Sequence, residues 1–188
     1  MGEGINIYRP VSGREGQDPL GKKGIQDKLD SVSSTPQGKF DRRKYVITEL
    51  EGLDTVDAQG RRIEIDEREA KHLGNDFSSK VLLGRESMKN ILSIIKNDFS
   101  KLMPFDDAPD SDYDIENDTF MKTHSTPRKL FEHFWYYKIP LNDRRFIMLE
   151  VGRTSERDEN RNRILNEKGE PQFHYYLHAV KKKKNESH

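Results

Sequence analysis

Cysteine is absent from all 188 residues. That excludes disulfide bridges and thiolate zinc sites, and it fits a reducing compartment, so the cytoplasm is the expected location. Long apolar runs are absent too. No stretch approaches the roughly 18 residues of a membrane span. The first residues, MGEGINIYRPVSGREG, lack the apolar region of a signal peptide. MGEG also lacks the Ser or Thr of a myristoylation motif. No membrane partner is expected. Apolar residues are scarce, at 32% against 35% charged, so a modest core is expected that leaves part of the chain outside it.

An excess of either charge is missing as well, with 33 Lys and Arg against 33 Asp and Glu. The signs are nonetheless segregated. Residues 103–118 carry seven acids and no base, whereas residues 122–188 carry fifteen Lys and Arg against nine acids. A basic C-terminal third attracts phosphates even when the whole chain is neutral.

The order of segments predicts an α+β fold preceded by a flexible arm. Residues 1–42 are rich in Gly, Ser, Pro and Gln without an apolar period, and read as that arm. Residues 43–182 read as a single domain and 183–188 as a tail. KYVITEL (44–50) looks β-like, DAQG (57–60) reads as a turn, and RRIEID (61–66) as a strand. EREAKHLG predicts a helix closed by Gly74, and KVLL (80–83) a short buried strand. In residues 85–102, Met88, Ile91, Leu92, Ile95, Phe99 and Leu102 form one stripe at helical spacing, a core face. STPRKLFEHF predicts a helix capped by Ser125 or Thr126, with Pro127 at its first position. HFWYYKI (133–139), RRFIMLEVGR (144–153) and FHYYLHAV (173–180) predict three strands, the first two joined by a turn at PLND (140–143). The acids at 110, 112 and 114 fail as a calcium loop, because Ile115 and Met121 stand where Gly and Glu are needed. KKKK (181–184) reads as a flexible tail or a nonspecific phosphate contact.

His174 and His178 decide the chemistry. On a helix, four residues apart, they could share a metal. The Phe and Tyr residues around them favour a strand, where their Cα atoms lie roughly 13 Å apart at about 3.3 Å per residue. That is too far for one metal bound at about 2.1 Å, so neither a metal nor another cofactor is expected. Phe173, Tyr175, Leu177 and Ala179 then form a core face, leaving His174, Tyr176 and His178 on the other. His, Tyr and Arg on one face suit metal-independent cleavage of RNA. One histidine takes the 2′-hydroxyl proton, another protonates the leaving oxygen, and arginine stabilises the phosphorane. Plain surface residues on a solvated sheet face are the competing reading. His124, beside Ser125 and Lys129 at the expected helix start, is a candidate phosphate contact, and His133 opens the first aromatic strand. His72 reads as structural.

KVLLGRESMKNIL, a helix-led segment, YYKIPLNDRRFIMLEV and FHYYLHAV, in that order, resemble the barnase/EndoU/colicin/RelE-like nuclease superfamily as it occurs in phage and polymorphic-toxin proteins. The resemblance covers about residues 80 to 180 and implies an N-terminal helical part packed on a small antiparallel sheet. It implies a metal-independent endoribonuclease, encoded beside mobile elements or delivered into a host or target cell, with an RNA substrate and a possible host or immunity protein as partner. It carries the working residues onto His133, Arg145, Arg153, His174 and His178. The catalytic set expected is therefore His174, His178, His133 and Arg153. His124, Arg145, Lys129 and Tyr176 are expected to hold substrate. The polar stretch 154–172 and the acidic loop depart from the pattern. A catalytically inert accessory protein that binds a host protein is the alternative.

Overall fold

The computed structural model describes residues 40–121 and 129–185. Three helices cover one face of a six-stranded sheet, so the α+β expectation holds. In spatial order its strands are Leu53–Val56, Arg62–Ile65, Phe173–Lys184, Arg145–Ser155, His133–Pro140 and Pro104–Pro109. The sheet is larger than expected and mixed: the second and third of these run parallel, and every other neighbouring pair is antiparallel. The expected arm lies outside the described residues apart from 40–42.

The chain enters through α1 (Arg42–Leu50), which replaces the strand expected at KYVITEL. Asp41 caps it, accepting a hydrogen bond from the Lys44 amide at 3.0 Å. Tyr45, Val46 and Leu50 then bury against the core, and that burial overrides the local β preference of Tyr, Val, Ile and Thr. The hairpin β1 (Leu53–Val56) and β2 (Arg62–Ile65) follows. Its turn is held by Asp57 Oδ1, which accepts from the Gln59 and Arg61 amides, both at 2.9 Å.

Helix α2 (Glu67–Ser79) starts at the Asp66 cap and runs past Gly74. Gly74 is not a stop. A Cβ there would lie 3.1 Å from the Arg43 carbonyl and 3.2 Å from Ile47, so glycine lets α1 and α2 approach closely. Residues 80–84 are irregular rather than a strand, although Val81 and Leu83 are buried. The expected stripe forms α3 (Arg85–Asn97) and a 3-10 turn at Phe99–Lys101.

The acidic segment is more ordered than expected. Its first part is the edge strand β3 (Pro104–Pro109), with prolines at both ends, where a missing donor costs no ladder bond. A minor two-stranded sheet, β4 (Tyr113–Asp114) with β5 (Thr119–Phe120), follows. The expected caps Ser125 and Thr126, with Pro127, lie outside the described residues. Residues 129–132 are irregular, so no helix runs into β6.

The three C-terminal strands are as expected: β6 (His133–Pro140), β7 (Arg145–Ser155) and β8 (Phe173–Lys184). β8 continues through all four lysines, which pair with β7 rather than forming a tail. The excursion 156–172 folds back on itself through bridges at Arg157/Arg163 and Leu165/Pro171. Among the described residues no helix is long and apolar enough to cross a membrane.

Candidate functional site

Strand register sorts the candidate residues, because residues opposite one another share a face. His133 lies opposite Arg153, and Arg153 opposite Tyr175. These share a face with Tyr137 and Leu149, the face that the helices cover. His174 is opposite Thr154, and Tyr176 opposite Gly152; both look the other way. His133 and Arg153 are therefore separated from His174 and Tyr176 by the thickness of the sheet. Arg145 pairs with Lys184 at the far end of β7, roughly 26 Å from Arg153 at about 3.3 Å per residue. His124 lies outside the described residues.

His178 breaks the alternation. The register steps from Glu150/Ala179 to Val151/Leu177, which leaves His178 as the extra residue of a β-bulge. Leu177 and Val180 both reach the core as a result, whereas Ala179 leaves the core face on which it was expected. Beyond Tyr176, β8 has no further pairing with β2, and α2 supplies side chains to that edge instead. His72 Nδ1 donates to the His178 carbonyl, and Asp76 Oδ2 accepts from the Val180 amide at 3.1 Å. The His178 ring stacks on His72 with centroids 4.8 Å apart and donates from Nδ1 to Glu69 Oε1 at 3.0 Å. Glu69 is buried, and its other oxygen meets Lys129 Nζ at 3.1 Å. Lys129 is also held by Asp66 at 2.7 Å and lies over the Tyr176 ring. Burial works against its charge, but the two carboxylates outweigh burial and hold its pKa above the ordinary value. Lys129, expected as a substrate contact, is thus already paired. His174 sits between Glu156, at 2.9 Å, and Glu64, at 3.5 Å.

The helices stop short of one end of their face, and an aromatic and arginine cluster occupies it. Trp135 and Tyr175 stand on neighbouring parts of the sheet with ring centroids 5.9 Å apart, both half-buried against the core. The Arg61 guanidinium lies 4.7 Å from the Trp135 centroid and 5.2 Å from that of Tyr175. Arg153 lies 4.2 Å from the exposed Phe173 ring, and His133 packs on Trp135 at 4.7 Å. Both arginines are fixed from behind. Arg61 Nε donates to buried Asp57 at 2.6 Å, and Tyr137 donates to the same carboxylate at 3.2 Å. Burial raises the Asp57 pKa, but the hydrogen bonds and charge of Arg61 outweigh it and hold the carboxyl below its usual value. Burial, then the Asp57 charge, pushes Tyr137 up to about 12.

Arg153 Nε donates to Glu132 at 3.1 Å, and its Nη groups make no hydrogen bond among the described residues. Glu132 is fully buried and also takes Ser155, Arg157 and Arg163. Arg157 bridges on to Asp118 at 2.8 Å. This network ties the polar excursion and the acidic loop to the sheet. Two further loop acids, Asp110 and Asp114, accept from backbone amides within their own turns.

Sequence reasoning missed three things. Phe173 and Tyr175 lie on the expected face, but beyond the helices' cover. Arg61 was read only as the first residue of the strand RRIEID, although the four-residue spacing from Asp57 carried the signal. Glu69 and His72 stand three apart in EREAKHLG, one helix face, and that spacing signals a shared site. No family model, curated protein or solved structure matches this chain.

Proposed function

We propose that the chain binds single-stranded RNA on the Trp135–Tyr175–Phe173 face. The carrying observation is the interleaving of exposed and half-buried rings with pre-positioned guanidiniums on one sheet surface. Bases stack on aromatic rings and on guanidinium planes, and each stacked base contributes about 1–3 kcal/mol. The Nη groups of Arg153 point to a phosphate or base-edge contact. Cleavage is not part of the proposal, because the expected acid–base histidines are divided between two faces. Of the described histidines, His133 alone joins the platform, with Asp107 on its Nε2 at 2.8 Å.

One observation favours a protein partner instead. Arg61 is matched by Asp57, and Arg153 shares Glu132 with Arg157 and Arg163, and Trp, Tyr and Arg in a patch whose charges are so paired are also what interface hot spots contain. Trp135 is the one tryptophan of the chain, so its emission separates the two readings. Titrated in EDTA with a labelled single-stranded RNA oligonucleotide, the protein should show quenched Trp135 fluorescence. Phe173→Ala should weaken the affinity about 5- to 150-fold, the equivalent of one stacked base. Unchanged emission at saturating RNA would remove the RNA reading and leave the protein partner. Incubation with total RNA in EDTA completes the test: RNA loss that His133→Ala abolishes would restore the nuclease.

A further inference from the structure

We infer that Glu69, His72 and His178 form a binding site for a divalent transition-metal cation of the zinc class, clasping α2 to β8. One donor atom from each of the three lies within 4.8 Å of the others. Three protein donors around one zinc ion stand roughly 3.3 Å apart when each is about 2.0–2.1 Å from the metal. The Glu69–His178 pair, at 3.0 Å, is already that close. The remaining closure falls to His72, whose side chain is 41% exposed and would turn about its Nδ1 bond to the His178 carbonyl.

The surroundings suit the assignment. Glu69 is fixed in the first turn of α2, and His72 follows it on the same helix face. His178 is turned toward them by the bulge that interrupts β8. The Phe131 and Phe134 rings wall its other side, at 4.5 and 6.0 Å, which lowers the local dielectric and strengthens a charge interaction. The His178 carbonyl takes the His72 Nδ1 proton, an outer partner of the kind that orients a ligating imidazole, and the Asp76 carboxylate adds negative charge 3.9 Å away. Lys129 shares Glu69, but it keeps Asp66 at 2.7 Å if Glu69 turns to a cation.

Two imidazoles and one carboxylate select among ions. Magnesium and calcium prefer all-oxygen sites, whereas zinc and nickel take imidazole readily. Three protein donors leave a fourth position for water. The cation would supply, between β8 and α2, the connection that backbone pairing supplies between β8 and β2 up to Tyr176.

The test uses the full chain without an affinity tag. Isothermal titration with zinc chloride should give one tight equivalent, and zinc should raise Tm whereas magnesium should not. His72→Ala removes a half-exposed ring without opening the core, and should weaken that equivalent at least tenfold. His174→Ala is the control, because His174 sits between two other carboxylates; it should bind zinc like the wild type. The inference is overturned if the wild type binds no zinc, if His72→Ala binds as tightly as the wild type, or if only His174→Ala loses the ion. A thermal shift of equal size with magnesium would also overturn it.

Discussion

At the scale of single residues, Asp57 controls more than its own turn. It holds two backbone amides, the Arg61 guanidinium and the Tyr137 hydroxyl. Asp57→Asn should cost about 1.5–3 kcal/mol, the range for hydrogen bonds to a charged group, read from the urea midpoint. It should also release Arg61 from Trp135 and change the Trp135 emission of the folded protein. The pH dependence has a definite sign. The folded-state pKa of Asp57 lies below its unfolded value, so its stabilisation is complete above the ordinary carboxylate pKa of about 3.9 and fades as pH falls through the folded value. Tyr137 has the reverse profile. Its pKa is raised to about 12, so its share is complete below the unfolded value of about 10 and is lost as pH climbs through the folded one. Tyrosinate absorbance should show at least one tyrosine still protonated well above pH 10 in the wild type. In Asp57→Asn one of the late-titrating tyrosines should ionise earlier, because the Asp57 charge that opposes Tyr137 ionisation is gone. An unchanged titration curve would mean that burial alone sets the Tyr137 value.

At the scale of elements, Gly152 in β7 fixes how residues 129–132 cross the sheet. A Cβ there would stand 2.4 Å from the Phe131 ring and 2.9 Å from that of Phe134. Gly152→Ala should therefore cost about 1–3 kcal/mol by overpacking, seen as a lower Tm, and should displace Phe131 from His178. Much of the sheet was legible in the sequence, because the long runs of β6, β7 and β8 are aromatic and β-branched, with a Pro and Asn-Asp turn between the first two. The α3 stripe was legible for the same local reason. KYVITEL was not, since only burial against α2 decides between its β preference and a capped helix. β3 was hidden because Asp and Pro are depleted from strands, yet an edge tolerates both. The candidate sites were the least legible. Residue identity pointed to His133 and Arg153 among others, and the register sets these two opposite each other, but the bulge at His178 and the limit of helix cover over Tyr175 are set by contacts between distant segments.

At the scale of the whole molecule, β8 sits in the middle of the sheet, between β2 and β7. Leu177, fully buried there, belongs to the single core cluster shared by helices and sheet, and Leu177→Ala should cost about 2–5 kcal/mol. The loss should appear as one cooperative transition by both circular dichroism and Trp135 emission; two separate transitions would mean that the halves unfold independently. The position of β8 also governs how the chain refolds. The β1–β2 hairpin and the β6–β7 hairpin each form from neighbouring residues, but Ile63 meets Tyr175 only after a long loop closes. Until β8 inserts, both hairpins present bare edges that another chain can extend. Refolding should therefore be slow for this length, and its yield should fall as protein concentration rises. The lysines at 181–184 would then matter before the native state exists, keeping the late strand from joining a neighbouring molecule. Replacing all four with serine should leave the folded protein's spectrum intact and increase light scattering during dilution from urea.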